Sequence, residues 1–80
     1  MDKARLLEKV NQIFINTLDN DSIVVTDSTT ANDIYEWTSL NHIELIVAME
    51  KAFKVKFTSA EIYQSKNVGE LCNAILTKLS

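Results

Sequence analysis

Apolar residues recur at helical spacing along most of the chain. Leu6, Leu7, Val10, Ile13, Phe14 and Leu18 fall on one face, and Asp2 stands where an N-cap belongs. This spacing predicts a helix from residue 2 to about 17, roughly 22–24 Å long at ~1.5 Å per residue. The run Asp19-Asn20-Asp21-Ser22 ends it. A second helix is predicted over 39–53. Thr58-Ser59-Ala60-Glu61 has the form of a capping box, which opens a short third helix through about Gln64. Asn67, with Glu70 three positions on, caps a last helix to about Lys78, whose apolar face is Val68, Leu71, Cys72, Ile75 and Leu79.

Residues 19–38 break the pattern and form a long connection for a compact domain. Ile23-Val24-Val25 has no second strand to pair with, so these residues are expected to anchor the loop to the core. Thr30-Ala31-Asn32-Asp33 is expected to start a single helical turn that buries Ile34 and Tyr35. Trp37 is expected to pack in the core or against the loop, and so to fix where Ser39 points.

The second helix carries two apolar stripes. His42, Leu45, Ile46, Met49 and Phe53 lie together and face the core. Leu40, Ile43 and Val47 lie nearly opposite, interleaved with Glu44, Glu50, Lys51 and Lys54. A helix of so small a domain is not buried all round, so this second stripe reads as an exposed docking surface with a polar rim. The competing reading is that the long loop folds over it.

The chain has 80 residues, one Gly and no Pro, with 46% hydrophobic residues. That suits one small helical domain over 1–80 and argues against a turn-rich β-fold. The net charge is −3 and the pI about 4.9. The eight basic residues form no dense patch, which argues against nucleic acid. The lone Cys72 is expected to be a reduced core residue. No signal peptide is recognisable, and the longest apolar run, Leu45 to Met49, is too short to span a bilayer. A cytoplasmic chain without membrane attachment is expected.

Chemistry is sparse. His42 has no second ligand spaced to make a metal site and reads as a half-buried structural residue. Asp19, Asn20 and Asp21 fail as a calcium loop, because Val24 stands where Gly is needed and Thr30 where Glu is needed. No carboxylate pair is set up for acid–base work, so no enzyme active site is predicted. What remains is Ser39. A hydroxyl at a helix N-terminus lies beside free N–H groups and the positive end of the macrodipole, where a phosphate ester is favoured. Ser39 either caps this helix or bears a cofactor arm.

Trp37-Thr38-Ser39-Leu40, followed by Ile43-Glu44-Leu45-Ile46-Val47-Ala48-Met49-Glu50 and Phe53, resembles the acyl carrier protein family, as does the tail Asn67-Val68-Gly69-Glu70-Leu71. The resemblance covers nearly the whole chain. It implies an all-α four-helix bundle with three longer helices, one short helix and a long loop between the first two. It also implies 4′-phosphopantetheine joined to Ser39 by a phosphodiester, installed from coenzyme A by a phosphopantetheinyl transferase that binds Mg²⁺. Acyl or aminoacyl groups would ride on the arm as thioesters, and the carrier would catalyse nothing. The implied docking residues are Leu40, Ile43, Glu44, Val47 and Glu50. Implied partners are the transferase, an acyl-loading ligase or synthetase, and acyltransferase or synthase enzymes, meeting a monomeric carrier.

Two departures stand out. The family's Asp before the serine is Thr38 here, and Lys51 stands where the family has an acid, with Lys54 and Lys56 following. They suggest a specialised, stand-alone carrier with dedicated partners. The alternative is a carrier-like interaction module in which Thr38 marks a lost modification site. A helical nucleic-acid binder and a self-associating adaptor are the remaining readings.

Overall fold

A computed structural model describes residues 2–65 and 67–79. Four helices follow in order: α1 (Lys3–Leu18), α2 (Ser39–Phe53), α3 (Ser59–Gln64) and α4 (Val68–Leu79). Among the described residues there is no strand, only an isolated antiparallel bridge between Thr30 and Asn67. The predicted four-helix architecture is therefore the observed one.

The caps explain where each helix starts. Asp2 accepts from the Arg5 N–H at 2.8 Å. Thr38 accepts from the Asn41 N–H at 3.2 Å. The capping box of α3 is complete, with Thr58 N–H donating to Glu61 at 2.8 Å and Glu61 N–H donating to Thr58 at 3.1 Å. Asn67 accepts from the Glu70 N–H at 2.8 Å. Helices α1 and α2 end at Asp19 and Lys54, both in left-handed backbone (φ 54° and 57°). In each the cap N–H returns to a carbonyl of the last turn, satisfying a group the helix would otherwise orphan.

The core is built as the periodicity predicts except at its edges, where Leu7, Ile13, His42 and Phe53 are half-buried and Leu79 is exposed. Leu6, Val10, Phe14 and Leu18 of α1 meet Leu45, Ile46 and Met49 of α2 and Val68, Leu71, Cys72 and Ile75 of α4. Trp37 is buried among them, edge-on to Phe14 with ring centroids 5.0 Å apart. Cys72 is a free, buried thiol.

The long loop is pinned rather than paired. Ile23 and Val25 are buried while Val24 points to solvent. The Val25 N–H donates to Asn11 of α1 at 2.7 Å. Further on, the loop covers the start of α4, where Val68 N–H donates to Thr29 O and Gly69 N–H to Asp27 O, both at 2.9 Å. The single glycine is needed there, because a Cβ on Gly69 would lie 2.8 Å from the Asp27 carbonyl oxygen.

Two expectations for this loop are corrected. Thr30–Asp33 forms a hydrogen-bonded turn, not a helical one; Asp33 accepts from the Thr30 N–H at 2.9 Å and holds it closed. Ile34 is buried, but Tyr35 is 96% exposed. The pair opens a second turn, closed by the Trp37 N–H donating to the Ile34 carbonyl at 3.1 Å, and only Ile34 reaches the core.

Candidate functional site

Ser39 is the first residue of α2, and its side chain is exposed. The cap is Thr38, not Ser39. That frees the Ser39 hydroxyl, which has no hydrogen-bond partner among the described residues. The backbone N–H groups of Ser39 and Leu40 likewise find no acceptor among the described residues, whereas those of Asn41 and His42 are taken by Thr38. No acidic side chain stands in the first turn of α2. A phosphate ester at Ser39 would meet two free donors and the positive helix end, with no adjacent carboxylate on its own turn to repel it.

The approach to Ser39 is held by a chain of polar contacts. Asn41 Nδ2 donates to the Glu36 carbonyl at 2.7 Å, and Asn20 Nδ2 donates to the Glu36 carboxylate at 2.9 Å. Trp37 Nε1–H donates to His42 Nδ1 at 3.0 Å, with the two rings stacked. His42 Nδ1 is therefore an acceptor, which leaves the ring proton on Nε2, and Nε2–H donates to the Ile62 carbonyl at 2.8 Å. His42 is half-buried and structural, as expected: it ties the start of α2 to α3.

Beside Ser39 opens a groove of about 700 Å³ between α2, α3 and the long loop. Trp37, His42, Ile43, Ile62 and Tyr63 give it an apolar side, and Thr30, Asn32, Thr38 and Ser65 a polar one. The sequence reading did not single out Ile62 or Tyr63. Their signal was present: a six-residue helix with a full capping box holds its few side chains in set directions, and Tyr63 has no partner in the apolar periodicity.

The second stripe of α2 is open to solvent. Leu40 is 76% exposed, Ile43 40% and Val47 41%, and Glu44 is exposed beside them. The long loop packs on α1 and α4 and does not hide this stripe. Glu50 sits differently from the other four expected docking residues. It is half-buried, and its Oε2 accepts from the Phe57 N–H at 2.8 Å, fastening the segment that leads into α3.

Away from α2, burial pushes the Cys72 thiol up to about 11, assisted by the negative charge of Asp27. Glu61 is held below the ordinary carboxylate value, first by its hydrogen bond to Lys78 and then by the Thr58 N–H. Among the described residues no three His, Cys, Asp or Glu side chains converge to hold a metal ion, and no helix is long and apolar enough to cross a membrane.

A family model described as "Phosphopantetheine attachment site" matches residues 8–75. An acyl carrier protein of Petrotoga mobilis is 32% identical over 80 residues, covering 100% of this chain and 94% of that protein. The solution NMR structure of the holo acyl carrier protein from Geobacter metallireducens superposes with a TM-score of 0.86 at 45% identity, over 91% of this chain and 84% of that one. Nothing in these likenesses favours a module without the arm. The chain belongs to the acyl carrier protein family: a carrier that bears acyl groups on 4′-phosphopantetheine and catalyses no reaction itself.

Proposed function

We propose that Ser39 is the residue that bears the 4′-phosphopantetheine arm. The observation that carries this reading is the exposed Ser39 hydroxyl at the mouth of α2, without a hydrogen-bond partner among the described residues and beside two N–H groups that find no acceptor among them. When attached, the group supplies a flexible thiol that holds the cargo as a thioester. The chain's own part is to hold that tether at a fixed helix end, so that a partner meets the cargo at high effective concentration. On the transferase, Ser39 Oγ would lose its proton and attack the coenzyme A phosphorus next to the pantetheine, the pyrophosphate bond breaking so that adenosine 3′,5′-bisphosphate leaves; the Ser39 and Leu40 N–H groups would be free to donate to the ester.

Leu40, Ile43, Glu44, Val47 and Glu50 form the partner-docking face in this reading. Leu40, Ile43 and Val47 supply apolar contact and Glu44 an exposed carboxylate, while Glu50 contributes from a position already fixed by Phe57. The partners are a phosphopantetheinyl transferase, an acyl-loading ligase or synthetase, and the acyltransferase or synthase that takes the cargo. The protein acts as one cytoplasmic, monomeric domain over 1–80. Thr38 before the serine, and Lys51, Lys54 and Lys56 at the far end of α2, support a specialised carrier over a general fatty-acid carrier.

Peptide mapping after treatment with coenzyme A, Mg²⁺ and a transferase tests the site. The arm is expected on the fragment holding Ser39; its appearance on Ser22, Ser28, Ser59 or Ser65 instead would refute the assignment. Efficient elongation of the loaded chain by a general fatty-acid system would refute the specialised role.

A further inference from the structure

The end of α2 away from Ser39 has a surface of its own. The chain leaves the helix through left-handed Lys54 and returns past Val55 and Lys56. This turn shapes a groove of about 310 Å³, lined by Val47, Glu50, Lys51, Lys54, Val55 and Lys56. Val47 also belongs to the exposed stripe that starts beside Ser39, so the groove continues that face. Lys51, Lys54 and Lys56 are all exposed, and none forms an ion pair with a described carboxylate. Glu50, the one acid at the groove, is turned to the Phe57 N–H.

Three cations around an apolar floor gain nothing from one another. They are complementary to carboxylates that carry an apolar side chain between them. A small free anion fits less well, because it leaves the exposed Val47 side of the groove uncovered. An anionic lipid surface fits less well too, since the chain as a whole carries −3 and the remainder outside this groove is more negative still.

We propose that this groove receives an acidic segment of a partner enzyme, with an apolar side chain against Val47 and carboxylates on Lys51, Lys54 and Lys56. The inference rests on the reading of α2 as the docking helix and adds its polarity. Lys51 lies about 18 Å along the helix axis from Ser39 at ~1.5 Å per residue. The partner's acidic segment therefore sits about that far from the opening that admits the arm, and the charge gradient along α2 sets the direction in which the carrier docks.

The test uses ¹⁵N-labelled carrier whose phosphopantetheine content is read by intact mass, so failure of the carrier reading shows separately. The probe is an end-blocked Glu-Glu-Leu-Glu-Glu peptide, compared with Lys-Lys-Leu-Lys-Lys. Saturable shifts are expected at Val47 and residues 50–56 with the glutamate peptide alone. They should weaken at least tenfold in the Lys51→Glu/Lys54→Glu/Lys56→Glu variant, which alters only exposed side chains, and vanish at high salt. Equal shifts around Lys3, Arg5 and Lys9 would overturn the proposal by showing only a general ion atmosphere. Binding to phosphatidylglycerol vesicles without binding the peptide would overturn it in favour of a lipid surface.

Discussion

Thr38, not Ser39, caps α2, which leaves the Ser39 hydroxyl for the proposed attachment. Thr38 accepts the Asn41 N–H, so Thr38→Ala is expected to cost about 1 kcal/mol in chemical denaturation, while Ser39→Ala is expected to be nearly neutral. Equal losses would mean that both hydroxyls cap. Their setting depends on Trp37 and His42. Trp37→Phe removes the donor to His42 Nδ1 and should cost about 1 kcal/mol from the hydrogen bond alone, and its effect should be non-additive with His42→Ala. The half-buried state of His42 was legible from the helical wheel, but its two partners were not, because Ile62 offers a backbone carbonyl that no residue pattern announces. Tyr35 was misread for a related reason: in a turn there is no period to say which of two adjacent apolar residues faces inward. Cys72 gives a further check. With its thiol raised to about 11 by burial, it is expected to stay unmodified by a thiol reagent at pH 8 in the native fold and to react on unfolding. A holo sample should therefore show one fast thiol, from the arm, and an apo sample none.

At the scale of elements, caps and stripes were legible while loop contacts were not. Each helix start follows from a short polar signature, and the core faces of α1, α2 and α4 follow from spacing. The loop over 19–38 is placed by single contacts such as Asn11 to Val25 and Gly69 to Asp27, which pair residues far apart in sequence. Gly69→Ala tests the second of these. The clashing atom is a backbone carbonyl that cannot swing aside, so a loss of about 1–3 kcal/mol is expected, and an unchanged melting temperature would show that the loop yields freely. The start of α3 can be tested by pH. Because the Glu61 carboxyl is held below its ordinary value of 4.5, its contribution is fully present above that value. It is lost as pH falls through the lowered folded value. The melting-temperature gap between the protein and Glu61→Gln should thus be widest near neutrality and close in acid; a constant gap would remove the ion pair with Lys78 from the account. On α2, Ile43→Asp and Val47→Asp replace side chains that are still partly covered, so each should cost no more than about 1–2 kcal/mol while weakening partner docking. A large loss of stability would place these residues in the core.

Across the whole molecule, the bundle fixes where the exposed Ser39 hydroxyl stands. The buried Phe14, Trp37 and Met49 cluster sets α2 against α1, and the Trp37–His42–Ile62 chain sets it against α3. The direction of α2 thereby becomes a property of the fold, and both the exposed stripe and the basic end keep a fixed relation to Ser39. The helix count, the order of elements and the exposed stripe could be read from the sequence because each depends on local periodicity. The groove beside Ser39 could not, since it is a space between three elements whose separation depends on packing. Intact mass measured before and after incubation with coenzyme A, Mg²⁺ and a phosphopantetheinyl transferase, with Ser39→Ala alongside, decides whether Ser39 bears the arm. A gain of one phosphopantetheine is expected on the protein and none on the variant. No gain on the protein with a cognate transferase, or an equal gain on Ser39→Ala, would contradict it.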